Sequence, residues 1–383
     1  MPTSKKILIF IDWFLPGYKA GGPIRSVANL TDHLSGEFEF FIVTRNSDYL
    51  ENTPYPNIKA NQWVKHSENI NVYYFSKEQL NIKNIRNVVA ELSFDSVYIN
   101  GIYSFYFSLF PVYLLEKTAM KVIVSSRGML SEHSFSSKNL KKKIFIFLAN
   151  ILGFYKNVIF HVTNKKEKGE VSKTIHKPKG FIIAPNLPSK IKTAFTKERI
   201  KEEAVLKLIS IARISKEKNT LYALQVLTDT NYSGKIKFDI YGSIYQQDYW
   251  NKCLEIIKSL PANITIKYKG EINNNIVLKT LQNYHFLFLP TLGENFGHSI
   301  LESFSAACPV IISDQTPWIN LEEKKIGWDI ALAGTDKFVK TIQYCINMGQ
   351  EEYNQLSSNA YEFAKSFASN PEIIEQSRKL FAT

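Results

Sequence analysis

The stretch HFLFLPTLGENFGHSILESFSAACPVIISDQTPW (285–318) decides the fold. HFLFLPT is a continuous apolar run closed by a turn, GENFGHS sets two glycines among polar residues, ILESFSAA has helical spacing, and PVIISD is apolar again. This is a βαβ unit with a polar loop at the carboxyl end of a strand. In open parallel sheets ligands settle at such loops, and the helix that follows presents unpaired N–H groups and the positive end of its dipole to an anion. A helix starting near Phe296 to His298 leaves Glu294 in the loop and Glu302 inside the helix, their α-carbons about 12 Å apart along an intact helix. The two carboxylates then address opposite ends of an extended ligand whose phosphates lie between them.

Outward from this unit the same alternation fills the chain. Apolar runs at 5–11, 38–44, 70–76, 96–102, 121–126, 158–164 and 180–186 alternate with helical spacing at 23–34, 80–92, 105–118, 140–153 and 167–174. Strands apolar on both faces and separated by helices imply a parallel sheet covered on both sides. Pro185-Asn186-Leu187-Pro188 interrupts the pattern. After it the alternation restarts, with runs at 206–214, 235–243, 264–272, 285–291, 309–315 and 327–332. The expected organisation is an N-terminal Rossmann-like domain at 1–188, a charged linker at 189–205, a second Rossmann-like domain at 206–365, and a C-terminal helix at 366–383 packed back on the first domain.

The chain has 383 residues, enough for a full core in each of two or three domains. Its three cysteines, Cys253, Cys308 and Cys345, are far apart and lack metal-ligand spacing, as expected for a reducing, cytoplasmic setting. The run KKILIFIDWFLPG near the N-terminus is broken by Asp12, Trp13 and Pro16, and reads as a first strand rather than a signal peptide. No apolar run reaches the roughly 20 residues needed to span a bilayer. A net charge of +12 favours a negatively charged partner: a nucleotide, an anionic membrane surface or nucleic acid. Zinc-finger spacing and aromatic RNA-binding signatures are missing, which sets nucleic acid aside. The segment 138–156, with Lys138, Lys141, Lys142, Lys143 and Lys156 around an apolar helix, fits either a helix packed on the first sheet or peripheral contact with an anionic membrane.

Three further motifs bear on chemistry. The long loop 12–23 holds Gly21-Gly22 before a helix; such glycines admit backbone N–H groups close to a phosphate, yet the loop is neither GxGxxG nor a Walker A loop. Arg213 and Lys218, just beyond the strand at 206–214, offer a planar donor fork and a point charge suited to a diphosphate. No two aspartates stand two positions apart, so an Asp-x-Asp metal motif is missing.

The ordered run Gly293-Glu294-Asn295-Phe296-Gly297-His298-Ser299, then Glu302-Ser303, then Pro309 to Asp314, resembles the Glu-x7-Glu signature of retaining glycosyltransferases of family 4. The resemblance covers the whole chain. Gly21-Gly22 matches the family's first glycine loop, Arg213 and Lys218 its phosphate-binding pair, and Gly270-Glu271 the loop near the nucleotide base. It implies the GT-B fold, α/β, with two Rossmann-like domains whose parallel sheets face across a central cleft. It also implies a nucleotide-diphosphate sugar as donor substrate, with no metal or other cofactor. In that reading Glu302 grips the ribose hydroxyls. Arg213, Lys218 and the N–H groups around Gly297 to Ser299 neutralise the diphosphate leaving group. Glu294 positions the donor sugar, Asn295, Phe296 and His298 line the same loop, and Gly21-Gly22 closes from the first domain.

Where many family members place a histidine near the reacting centre, this chain has Ser125-Ser126-Arg127-Gly128, with Arg127 at the position and His133 six residues on. Both are carried as acceptor-side candidates. The implied activity is transfer of a sugar, UDP-linked by family frequency or GDP-linked, to a saccharide or lipid-linked acceptor, in bacterial surface polysaccharide or lipopolysaccharide assembly at the inner face of the cell membrane. The alternatives are a nucleotide-sugar epimerase or hydrolase on the same fold, and a basic membrane- or nucleic-acid-binding protein without catalysis.

Overall fold

A computed structural model describes residues 4–131, 140–190, 199–229 and 231–382. The chain divides into two compact units, Met1–Leu187 with Asn370–Thr383, and Pro188–Ser369.

The first unit is built on β1 (Lys5–Phe10), β2 (Phe38–Arg45), β3 (Trp63–Ser67), β4 (Ile70–Phe75), β5 (Ser96–Asn100), β6 (Lys121–Ser125), β7 (Ile159–Val162) and β8 (Gly180–Ile183). They form one eight-stranded sheet in the order β3-β4-β2-β1-β5-β6-β7-β8. The central strand is KKILIF, whose last four side chains are buried. Strands of this kind need cover on both faces, and the helices Gly22–Leu34, Ile82–Ala90, Leu140–Ile151 and Lys165–Thr174 follow strands in the pattern that supplies it.

All the pairs are parallel except β3 with β4, which is antiparallel. The sequence alternation does not reveal β3, because WVKHS is half-buried to exposed and has no apolar period. The strand turns directly into β4: Ser67 lies opposite Ile70, and Asn69 between them takes the left-handed conformation at φ 58°. The helical stretch expected at 105–118 opens as a π-helical turn, Phe105–Leu109, before the α-helix Phe110–Leu115. Pro111, without an N–H, sits in the first turn of that α-helix, where no intrahelical donor is needed.

The C-terminal helix Pro371–Arg378 packs in this unit. Arg378 grips Glu37 through Nε at 2.5 Å and an amino nitrogen at 2.8 Å. Phe381 sets its ring edge-on to Phe38, Phe40 and Tyr98, and the Lys121 ammonium donates to the Ala382 carbonyl at 2.8 Å.

The second unit carries β9 (Val205–Ile211), β10 (Lys235–Tyr241), β11 (Ile264–Tyr268), β12 (Phe286–Leu289), β13 (Val310–Ser313) and β14 (Gly327–Ile330). Their order is β11-β10-β9-β12-β13-β14, and every pair is parallel. One apolar cluster on this sheet joins Leu206, Phe238, Phe288 and Tyr353. Another joins Ile209, Leu287, Ile300, Phe304 and Trp318.

Arg199 and Lys201 are buried in this unit although they belong to a segment whose composition reads as solvated. The Arg199 guanidinium donates to the carbonyls of Gln282 at 2.9 Å and Ala307 at 2.6 Å, to the Ala306 carbonyl, and to the Tyr353 hydroxyl at 2.9 Å. Ala306 and Ala307 end the helix His298–Ser305, so this cation closes off carbonyls that a helix C-terminus leaves unpaired. Residues 191–198 lie outside the described residues.

Candidate active site

The strand order of the second sheet creates one switch point. From β9 the chain moves to β10 on one side, while β12 lies on the other, so the loops leaving the carboxyl ends of β9 and β12 meet at the switch point, the place where open parallel sheets bind ligands. Arg213 and Lys218 follow β9, and Glu294 follows β12.

The backbone stitches these two loops together. Thr291 Oγ1 and the Leu292 amide both donate to the Glu217 carbonyl, at 2.9 and 2.8 Å, and the Asn219 amide group donates to the Pro290 carbonyl at 3.0 Å. Asn219 takes a left-handed conformation, φ 57°, as it starts the helix Thr220–Val226. On the other side Ser313 Oγ donates to the Thr291 carbonyl at 2.5 Å, and the Glu294 amide donates to the Gln315 carbonyl at 3.0 Å. Glu294 is therefore held by its own backbone between β9 and β13.

Its side chain reaches Lys218: Nζ stands 2.7 Å from Oε1, with the two side chains 12% and 13% exposed. Lys218 Nζ also lies 3.8 Å from Glu217 Oε1. A pair this sheltered is screened far less by water and salt than a surface pair. The Arg213 guanidinium stacks over the Tyr245 ring at 5.5 Å, presenting a flat cation on the same edge of the sheet.

The helix His298–Ser305 begins where the sequence places a helix start, capped by Gly297 in the left-handed region at φ 79°. A Cβ there would lie 2.8 Å from Ile300 Cδ1 and 3.3 Å from Trp318 Nε1, so both conformation and space call for glycine. Trp318 Nε1 donates to the Phe296 carbonyl at 2.5 Å, and the Phe296 ring is wedged between His298 and Trp318, with centroids at 4.9 and 5.5 Å. Asn295 is half-buried, Ser299 is buried, and Glu302 is half-buried inside the helix. Gly270, at φ 75°, precedes Glu271 beyond β11, and its carbonyl accepts from the Gly242 amide at 2.8 Å.

Gly242 was not singled out by the sequence reading. A Cβ on it would sit 1.9 Å from the Ala212 carbonyl oxygen, so only glycine lets the loop after β10 lie against the backbone leading to Arg213. The signal was present as Tyr-Gly-Ser directly after an apolar strand.

In the first unit Gly21 adopts φ 72° and caps the helix Gly22–Leu34. Asp48 holds the loop before it, accepting from the amides of Tyr18 and Lys19 at 2.9 and 3.3 Å. At the carboxyl ends of β1, β2 and β5, Asp12 accepts from the Ser104 hydroxyl at 2.7 Å and from Arg45 at 3.4 Å. Burial raises the Asp12 carboxyl above the usual range, with Ser104 and Arg45 pulling the other way. Arg45 stacks over Phe107 and Trp13, at 5.0 and 5.9 Å. This cluster, too, was missed, because its members come from residues far apart in sequence.

Arg127 stands at φ 51° with all three guanidinium nitrogens engaged: on Asn100 at 2.6 Å, Asn186 at 2.5 Å and the Tyr98 hydroxyl at 2.8 Å. Tyr98 in turn donates to His161 Nδ1 at 2.7 Å, and His161 Nε2 donates to the Ala184 carbonyl at 2.8 Å. Beside this chain the buried Glu167 carboxylate accepts from Ser126, Gly128 and Thr163 at 2.7 to 2.9 Å. Burial alone would raise its pKa; those donors bring it below the ordinary value. His133 lies outside the described residues. Among the described residues no group of three His, Cys, Asp or Glu side chains is placed to hold a metal ion.

Residues 190–363 match the family described as glycosyl transferases group 1. Among solved structures the chain is similar to sucrose-phosphate synthase from Thermosynechococcus elongatus, at 14% identity and TM-score 0.71 over 98% of both chains. It is similar to WaaG, a glycosyltransferase involved in lipopolysaccharide biosynthesis, at 12% identity and TM-score 0.66 over 98% of both chains. HepE from Anabaena in complex with UDP-glucose gives 14% identity and TM-score 0.68, again over 98% of both. At such identities the likeness establishes the fold, which is GT-B. No curated protein gives a significant match.

Proposed function

From the membership of residues 190–363 in the glycosyl transferases group 1 family, a family of retaining nucleotide-sugar glycosyltransferases, we propose that this chain moves a sugar from a UDP-sugar, or in second place a GDP-sugar, to a saccharide or lipid-linked acceptor. The observation that carries the proposal is the Lys218–Glu294 pair at the switch point of the second sheet, 2.7 Å across, just ahead of the helix that starts at His298.

The chemistry follows from where charge develops. Breaking the anomeric bond leaves negative charge on a diphosphate. Arg213, Lys218 and the first-turn N–H groups after Gly297 are assigned to receive it, a role in which donors held by the fold lower the reorganisation needed in the transition state. Glu294 accepts hydroxyls of the donor sugar and Glu302 those of the ribose. Gly270 and Glu271 take the base, and Asn295, Phe296, His298 and Ser299 shape the loop. Arg127, tied to Asn100, Asn186 and Tyr98, is read as a positioning residue for the loop that follows β6. Asp12, at the carboxyl end of β1 with Ser104 and Arg45 as partners, is assigned to the acceptor side. No metal is assigned a role.

Bacterial surface polysaccharide or lipopolysaccharide assembly is the setting proposed, supported by the fold likeness to WaaG, with peripheral contact at an anionic membrane where the acceptor is lipid-linked. UDP as the donor nucleotide is supported by the fold likeness to HepE bound to UDP-glucose. Calorimetric titration with UDP and GDP tests the donor reading: saturable heat with one of them is expected, and no heat with either overturns it. Incubation with donor alone tests the alternative, since rapid interconversion of the sugar without acceptor would point to an epimerase.

A further inference from the structure

The helix Leu140–Ile151 has two apolar faces, and only one of them is covered. Ile146 and Ala149 are buried in the first unit's core, and Phe145 packs against Tyr103 at 6.0 Å between ring centroids. On the opposite side Leu140, Ile144, Phe147, Leu148 and Ile151 are 49 to 69% exposed, and Leu152 just beyond the helix is 78% exposed. At about 100° per residue these five helical positions form a stripe about 100° wide along the whole helix. Single exposed leucines are ordinary, whereas a contiguous stripe marks a surface that something covers.

The charges around the stripe select the partner. Lys141 and Lys143 fall on its two edges and are exposed, while Lys142 faces the other way, its ammonium 4.9 Å from the centre of the Tyr103 ring. From position 133 to position 166 the sequence has no Asp or Glu. Lysine stems run along apolar surface while their heads seek anions, the arrangement of an interfacial helix on anionic lipid. The helix has 12 residues, about 18 Å against a hydrocarbon core of about 30 Å. Among the described residues no helix is long and apolar enough to cross a membrane.

We propose that this face docks on an anionic bilayer. The helix lies in the interfacial plane, with Ile144, Phe147, Leu148 and Ile151 in the acyl boundary and Lys141 and Lys143 at the level of the phosphates. The proposal deepens the lipid-linked-acceptor reading above but stands on the chemistry of this surface, so either can fail without the other.

The test is flotation of the full-length protein with phosphatidylglycerol/phosphatidylcholine vesicles and with pure phosphatidylcholine vesicles. Alongside it, Phe147→Cys carries an environment-sensitive dye, the native cysteines being buried. Expected are binding that depends on the anionic lipid and weakens with salt, and a blue shift of the dye on those vesicles. The double variants Phe147→Ser/Ile151→Ser and Lys141→Gln/Lys143→Gln should each lose about tenfold or more in partitioning. All positions changed are on the surface, so folding is preserved, and UDP calorimetry on the same samples reads the donor site separately. Equal flotation of both variants and the unmodified chain would overturn the proposal. So would no vesicle binding by a protein that binds UDP, or a dimer that the Phe147/Ile151 variant dissociates in the absence of any vesicle binding; the last would assign the face to a second copy of the chain.

Discussion

Lys218 Nζ stands 2.7 Å from Glu294 Oε1 across the switch point of the second sheet. The residues are 76 positions apart in sequence. They meet because β9 and β12 are neighbours and because Glu217 and Asn219 bind the backbone at Pro290 to Leu292. A substituent that neutralises either partner leaves the other charge sheltered and alone, so the pair is sensitive from both sides.

Glu294→Gln keeps the shape of the side chain and removes its charge; Arg213→Ala removes the stacked cation. Each is expected to lower turnover about 100-fold or more; Arg213→Ala keeps the thermal unfolding profile, whereas Glu294→Gln, which leaves the sheltered Lys218 ammonium alone, lowers the midpoint without unfolding the protein. Steady-state kinetics on the purified variants checks this, and near-normal turnover in either one sinks the role given to that residue.

Lys218→Ala should weaken UDP far more than uridine, because the ammonium is assigned to the diphosphate and not to the base or ribose. Calorimetry with UDP, UMP and uridine measures it. An equal loss on all three ligands would mean that the substitution disturbs the loop rather than a phosphate contact.

Gly297→Ala places a side chain at φ 79°, in a conformation that L-residues adopt at a cost of about 1 to 2 kcal/mol. Its Cβ also meets the buried side chains of Ile300 at 2.8 Å and Trp318 at 3.3 Å. Urea unfolding should show a loss of at least that size, and no loss would contradict the left-handed cap.

Arg199→Met fills similar volume but leaves the carbonyls of Gln282, Ala306 and Ala307 without their donor. Loss of buried, charge-assisted hydrogen bonds of this kind is expected to destabilise the second unit by about 3 kcal/mol. Unfolding followed by Trp318 and Trp328 fluorescence reports on it. A variant as stable as the parent would show that water or backbone movement replaces the guanidinium.

Two buried histidines set an acid limit. Burial, aided by the Arg127 charge and opposed by the hydrogen bond to Ala184, lowers His161 to about 4. Burial lowers His285 to about 3; its hydrogen bond to Ile200 opposes the shift, and the charges of Lys201, Lys207 and Arg199 add to it. Both are neutral in the fold and take up protons more readily when unfolded. Stability is therefore fully present above the unfolded value of 6.5 and declines as pH falls from there towards about 4 and 3. The decline is on the order of 3 kcal/mol for His161 and 5 kcal/mol for His285. Denaturant midpoints measured down this range should fall steadily, and a His161 or His285 imidazole resonance titrating near 6.5 in the native protein would refute the assignment.

The sequence by itself determined the features that depend on local periodicity and local backbone geometry. Two rounds of buried strands alternating with helices were legible because strands covered on both faces are apolar throughout. The helix start at Gly297 was legible because glycine, polar loop and helical spacing are consecutive in the chain. Tertiary structure alone decided what distant residues do to one another. The edge strand Trp63–Ser67 is held by pairing with β4 and not by its own composition. Arg199 reads as a linker charge until the end of the helix His298–Ser305 is brought to it. Asp12 gains its raised carboxyl only when folding buries it at the ends of β1, β2 and β5, against the opposite pull of Ser104 and Arg45 brought beside it. The exposed stripe on the helix Leu140–Ile151 is apolar in sequence like any core face; only packing reveals that Ile146 and Ala149 are the covered side. The physical reason is common to all four. Burial and pairing free energies depend on which surfaces meet, and the order of strands in a sheet, not the order of residues in the chain, selects those surfaces.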